Sequence, residues 1–157
     1  MISPEDARAA AKRDIAAVRF DSHPDAVGAL AAGEAGVPLL VSRLDRTASD
    51  YYLVPWSDER GIVLVIQVDA ERGVMSSAAA LRVPLSRLVP SPEEARAFVF
   101  ERLRQRSVGE PQLVWQPCLE SASPLQPLYR VVVESGEAFV GVDGSVHRRL
   151  TPFGRGG

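Results

Sequence analysis

Residues Ser3–Ala9 read SPEDARA and residues Ser91–Ala97 read SPEEARA, so the chain opens in the same way twice, with Asp6 exchanged for Glu94. Each stretch carries the marks of a helix start. Serine caps the first free N–H groups, proline fits the first turn, and the pairs Glu5–Asp6 and Glu93–Glu94 lie at the positive end of the helix dipole. Glu94 also stands at the capping-box position, three residues after its serine. Behind the first start, Ala7, Ala11, Ile15 and Val18 form one apolar stripe at helical spacing; behind the second, Ala95, Phe98, Val99 and Leu103 do the same. Arg102, Arg104 and Arg106 fall mostly off that stripe and read as a solvated helix end.

After each helix the pattern changes to strand-like runs. The first half offers GVPLLVSRL, DYYLVPW, GIVLVIQVD and GVMSSAAALRV; the second offers PQLVWQPCL, PLYRVVVE, EAFVGVD and SVHRRL. These runs are rich in β-branched and aromatic residues and are bounded by turn formers. Ser135-Gly136 and Asp143-Gly144 read as two-residue hairpin connections, and Ala70–Gly73 as a longer turn closed by glycine. Ser3 and Ser91 are 88 apart, whereas Gly36 of GVPLLV and Gly109 of GEPQLV are 73 apart. The difference predicts an insertion in the first half, read as an extra short helix near 22–33, with Ser22 or His23 before Pro24 and a stop at Gly33. The expected fold is therefore α+β, with units 1–90 and 91–157. Each would be an N-terminal helix packed on an antiparallel meander of about three or four strands.

Bulk composition bounds the function. The 157 residues are 46% hydrophobic and 24% charged, an ordinary globular balance, with a net charge of −2 and each half nearly neutral. No basic stripe of the kind that releases counterions from nucleic acid is present, so no nucleic-acid partner is expected. Lys12 is the one lysine among 18 basic residues, which reads as the coding bias of a GC-rich bacterial genome. A single cysteine, Cys118, excludes an internal disulfide framework. No apolar run suggests a membrane span or a signal peptide. The expectation is a cytoplasmic protein, or a secreted one if a leader has been removed.

SPEEARA, the strand LYRVVV and the hairpin strand FVGVDGSV together resemble the PepSY-like domain. Ser91–Ala97, Tyr129–Val133 and Phe139–Val146 carry the likeness in the second half; Ser3–Ala9, Tyr52–Val54 and Val65–Gly73 carry it in the first. The resemblance implies a small, non-catalytic α+β unit, associated in some members with propeptides or with inhibition of extracellular peptidases. It supplies no catalytic residues and no cofactor.

The chemistry-bearing residues agree in being sparse. Cys118 and His147 are the material for one nucleophile–base pair, at a site between the halves, and that pair is the enzyme alternative. The terminal Gly156-Gly157 offers a ubiquitin-like modifier as a second alternative, although the helix-first order argues against a β-grasp fold. No cofactor or metal site is expected. Tyr51, Tyr52 and Trp56, with Trp115 and Tyr129 in the matching strands of the second half, are the candidate partner-binding residues. Tyr51 and Tyr52 point to opposite faces of one strand, so one of them is expected to look outward or into an interface. Pro55 marks that strand as ending or lying at an edge, where another protein or a second copy could add a strand. The expected function is a protein-binding module: an inhibitor, an immunity-type protein or an accessory factor.

Overall fold

The computed structural model describes residues 1–19 and 24–153. Among them are three helices and nine strands, α+β and mostly antiparallel, and the chain divides into two compact units. Unit 1 comprises 1–40 and 49–88, and unit 2 comprises 41–48 and 89–157.

In unit 1, α1 runs Pro4–Ile15 behind a complete capping box: the Ser3 side chain accepts from the Asp6 N–H, and the Asp6 carboxylate accepts from the Ser3 N–H. Helix α2 (Pro24–Ala32) follows, inside the predicted insertion; its expected caps, Ser22 and His23, lie outside the described residues. Gly33 ends it because no side chain fits there. An added Cβ would stand 2.6 Å from both the Ala29 carbonyl oxygen and Trp56 Nε1. The short strand β1 (Glu34–Ala35) was not anticipated. Unit 1 also holds β3 (Tyr51–Asp58), β4 (Gly61–Asp69) and β5 (Met75–Leu85), an antiparallel meander matching three of the predicted runs. Ala7, Ala10, Ala11 and Ile15 of α1 and Ala26 and Ala29 of α2 pack on Tyr52, Val54, Trp56, Leu64, Ile66 and Val68 of the sheet. Small alanines let these helices approach the sheet closely. Val18 also reaches this core, although α1 ends at Ile15 and not beyond Val18 as its stripe suggested.

Pro55 neither ends β3 nor makes it an edge. The strand continues to Asp58 between β4 and β1, with Pro55 opposite Val65. Its carbonyl accepts from the Gly36 N–H at 2.7 Å, so the main-chain groups of Pro55 point away from β4. The missing N–H therefore falls where the β3–β4 ladder asks for none.

Between Leu39 and Arg43 the strand β2 passes into unit 2, where Ser42 and Arg43 pair in parallel with Val114 and Trp115 of β6 (Gln112–Trp115). Helix α3 (Pro92–Leu103) has the second capping box, Ser91 with Glu94. Strands β7 (Leu128–Val133), β8 (Gly136–Val140) and β9 (Val146–His147) complete the unit. Ala95 and Val99 of α3 pack on Tyr129, Val131 and Val133 of β7 and on Ala138 and Val140 of β8, with Phe98 and Leu103 at the margin. Both expected two-residue turns are displaced. Val133 pairs with Gly136, so the first loop is Glu134-Ser135, with Gly136 at φ +136° opening β8. The second spans the residues between Val140 and Val146, with Asp143 accepting from the Ser145 N–H. Strand β6 stops at Trp115 rather than running to Cys118, since Pro117 cannot donate and restricts Gln116 before it.

The two capping boxes allow a direct test. Ser3→Ala and Ser91→Ala are each expected to cost about 1 kcal/mol, and the glycine variants only a few tenths, read from urea unfolding midpoints.

Candidate functional site

The five aromatics singled out in the sequence as candidate partner-binding residues are all buried. Tyr51 is 1% exposed and Tyr52 3%. They face opposite sides of β3: Tyr52 belongs to the core under α1 and α2, whereas Tyr51, expected to look outward or into an interface if Tyr52 did not, is not open to solvent. Tyr52 Oη donates to the Ile2 carbonyl at 3.0 Å, and Trp56 Nε1 donates to the Ala29 carbonyl at 3.0 Å. Both bonds fasten helical segments to the sheet. In unit 2, Tyr129 lies in the α3 core, its phenol pKa pushed up by burial and by Glu93 and Glu94. Trp115 lies under Arg43, whose guanidinium carbon is 4.8 Å from the ring centroid, a cation–π contact. The Trp115 indole N–H is buried with no acceptor among the described residues.

Cys118 and His147 do not form a pair. Cys118 is fully buried with Val114, Leu128 and Phe139, and its Sγ is 3.8 Å from the Ser121 carbonyl oxygen. Burial raises the thiol's pKa, the reverse of what a nucleophilic thiolate needs. His147 on β9 bonds the Ser145 hydroxyl at 3.0 Å instead. Among the described residues, no three His, Cys, Asp or Glu side chains converge as a metal site would require, and no helix is long and apolar enough to cross a membrane. Gly156-Gly157 lie outside the described residues.

What the structure places in solvent is an edge of β5. Val65 lies opposite Pro55, so its main-chain groups face β5, and it pairs with Ala79; Gln67 likewise pairs with Ser77. The alternate residues Ala78 and Ala80 therefore turn their N–H and C=O groups away from β4, while Ser76 sits in a bulge opposite Gln67 with its hydroxyl on the Gln67 carbonyl. No other described strand pairs with β5. Its two ends are guarded. At the N-terminal end Asp14 accepts from the Met75 N–H at 2.8 Å. At the other, the register slips between Ile62–Leu85 and Leu64–Ala80, bulging the strand around Pro84. Between the guards, Ser76–Ala80 has no charge and no proline, the devices that usually block an edge. The sequence showed β5 as a strand but gave no sign of this edge, which depends on pairing order. Strand periodicity alone does not report it.

A comparison of the chain with family models, curated proteins and solved structures finds no match. The case for a function rests on these residues.

Three outcomes are expected. Trp56→Ala should cost about 3–5 kcal/mol in chemical denaturation, since it opens a cavity in the core and removes one of the two hydrogen bonds on the Ala29 carbonyl. Cys118 should resist a thiol reagent in the native protein and react once urea unfolds it. The Asp14 carboxyl is held below its ordinary pKa by Arg13 and by the Met75 N–H. Its contribution is present above the unfolded value and lost as pH falls through the folded one. Asp14→Asn should therefore be less stable than wild type at pH 7, and the gap in urea midpoint should close as pH drops below 3.8.

Proposed function

We propose that this chain is a non-catalytic protein-binding module that takes an extended segment of another protein onto the open edge of β5, as an inhibitor, immunity-type protein or accessory factor. The observation that carries the reading is the uncharged run Ser76–Ala80, with outward main-chain groups on Ala78 and Ala80. Strand addition draws its affinity from such main-chain groups, and small side chains beside them leave room for a partner backbone.

We also read the chain as two PepSY-like copies. Each has a capped helix, Pro4–Ile15 or Pro92–Leu103, packed on an antiparallel meander, β3–β4–β5 or β7–β8–β9. In each, a buried tyrosine on the first meander strand sits close to the start of the helix: Tyr52 bonds to Ile2, and Tyr129 lies near Glu93 and Glu94. Helix α2 is then the element that distinguishes the first copy.

Amide hydrogen exchange tests the open edge. In the dilute free chain the amides of Ala78 and Ala80 should exchange much faster than those of Ser77 and Ala79; equal protection would mean that the edge is already covered. Affinity capture from the source organism should yield a partner that Ser76→Lys and Ala78→Pro both lose while keeping the wild-type unfolding midpoint. Capture unchanged by both variants would sink the strand-addition reading.

A further inference from the structure

A second feature of unit 1 is independent of the β5 edge. The C-terminal part of α1 and the face of α2 enclose an open groove of about 460 Å³ with Ile15, Val18 and Leu30 on its walls and Trp56 among its lining residues. That volume lies in the range of small-molecule sites, roughly 300–1,000 Å³. Trp56 has already committed its one polar group to the Ala29 carbonyl, so it offers the groove hydrocarbon only. Val27, on the same groove, is 55% exposed, so the apolar wall is open to a ligand from solvent.

The charges are one-sided. Among the described residues, Lys12 and Arg19 are the ionisable ones lining the groove, and none of them is a carboxylate. Neither forms an ion pair or side-chain hydrogen bond with another described residue. The neighbouring Arg13, in contrast, is tied to Asp14 and to the Gly73 carbonyl. Two cations with no partner among the described residues, beside an apolar groove, select a ligand by elimination. A small hydrophilic anion would leave the walls wet, a neutral hydrocarbon would leave the cations unused, and a cationic amphiphile would be repelled. We propose that this groove binds a free anionic amphiphile, a carboxylate on an unbranched apolar tail, with the head between Lys12 and Arg19 and the tail along Ile15, Leu30 and Trp56.

Sodium decanoate below its micellar concentration, titrated calorimetrically into the full chain, tests this. The expected result is saturable binding to one site, with a change in tryptophan fluorescence. Lys12→Ala combined with Arg19→Ala should weaken binding at least tenfold with the unfolding midpoint unchanged, and Val27→Asp, at an exposed position, should weaken it comparably. Decyltrimethylammonium and acetate should bind at least tenfold more weakly than decanoate. Ser76→Lys should leave decanoate binding intact, which separates this site from strand addition at β5. The proposal is overturned if decanoate does not saturate, if the double alanine variant binds it as well as wild type, or if the cationic amphiphile binds equally. It is also overturned if the chain cosediments with phosphatidylglycerol vesicles yet fails to bind decanoate monomers, since the groove would then answer to a lipid surface and not to a free ligand.

Discussion

Proline has no N–H to give, and in unit 1 that constraint fixes the phase of a whole sheet. Pro55 is tolerated inside β3 because its main-chain groups point toward Gly36 and away from β4. In an antiparallel ladder the direction of main-chain groups alternates residue by residue, so one fixed residue fixes the rest. Pro55 sets Val65, Val65 sets Ala79, and Ala79 leaves Ala78 and Ala80 facing outward. The side-chain alternation has the same origin. It sends Tyr52, Val54 and Trp56 to the face that α1 and α2 cover, and Tyr51 and Leu53 to the other.

That phase also separates the residues that hold the fold from those that could meet something else. The aromatic side chains, which would make good anchors on a surface, serve as internal fasteners: Tyr52 to Ile2, Trp56 to Ala29, Trp115 beneath Arg43. What remains for recognition is less conspicuous, namely peptide groups along Ser76–Ala80 and an apolar groove with two cations. Neither uses a residue type that draws the eye in a sequence.

Much of the local structure was legible because it rests on short-range physics. The caps at Ser3 and Ser91 need only a serine, a proline and an acid three residues on, and both boxes close as that spacing requires. Helix α2 lies where the offset between two similar stretches changes, so its presence was legible there. The misread places were those where a local signal met a tertiary context. Pro55 looked like a strand end because proline usually is one; only the position of Gly36 shows that its missing donor costs nothing. Alternation told that Tyr51 and Tyr52 face opposite sides of β3, but not that neither is open to solvent. The hairpin at Gly136 was placed one residue late because glycine there opens the strand and does not occupy the loop.

By itself the sequence determined the secondary elements, their order and the alternation of their side chains, since caps, turns and periodicity act within a few residues. The tertiary structure alone decided that residues 41–48 belong with the second unit and that five aromatics are interior. It alone decided that β5 is left with an open side, and that Lys12 and Arg19 border one groove with Trp56. Those facts depend on which segments far apart in the chain become neighbours. Such neighbours are chosen by burial of apolar surface summed over the whole fold, a quantity that no local stretch of residues carries.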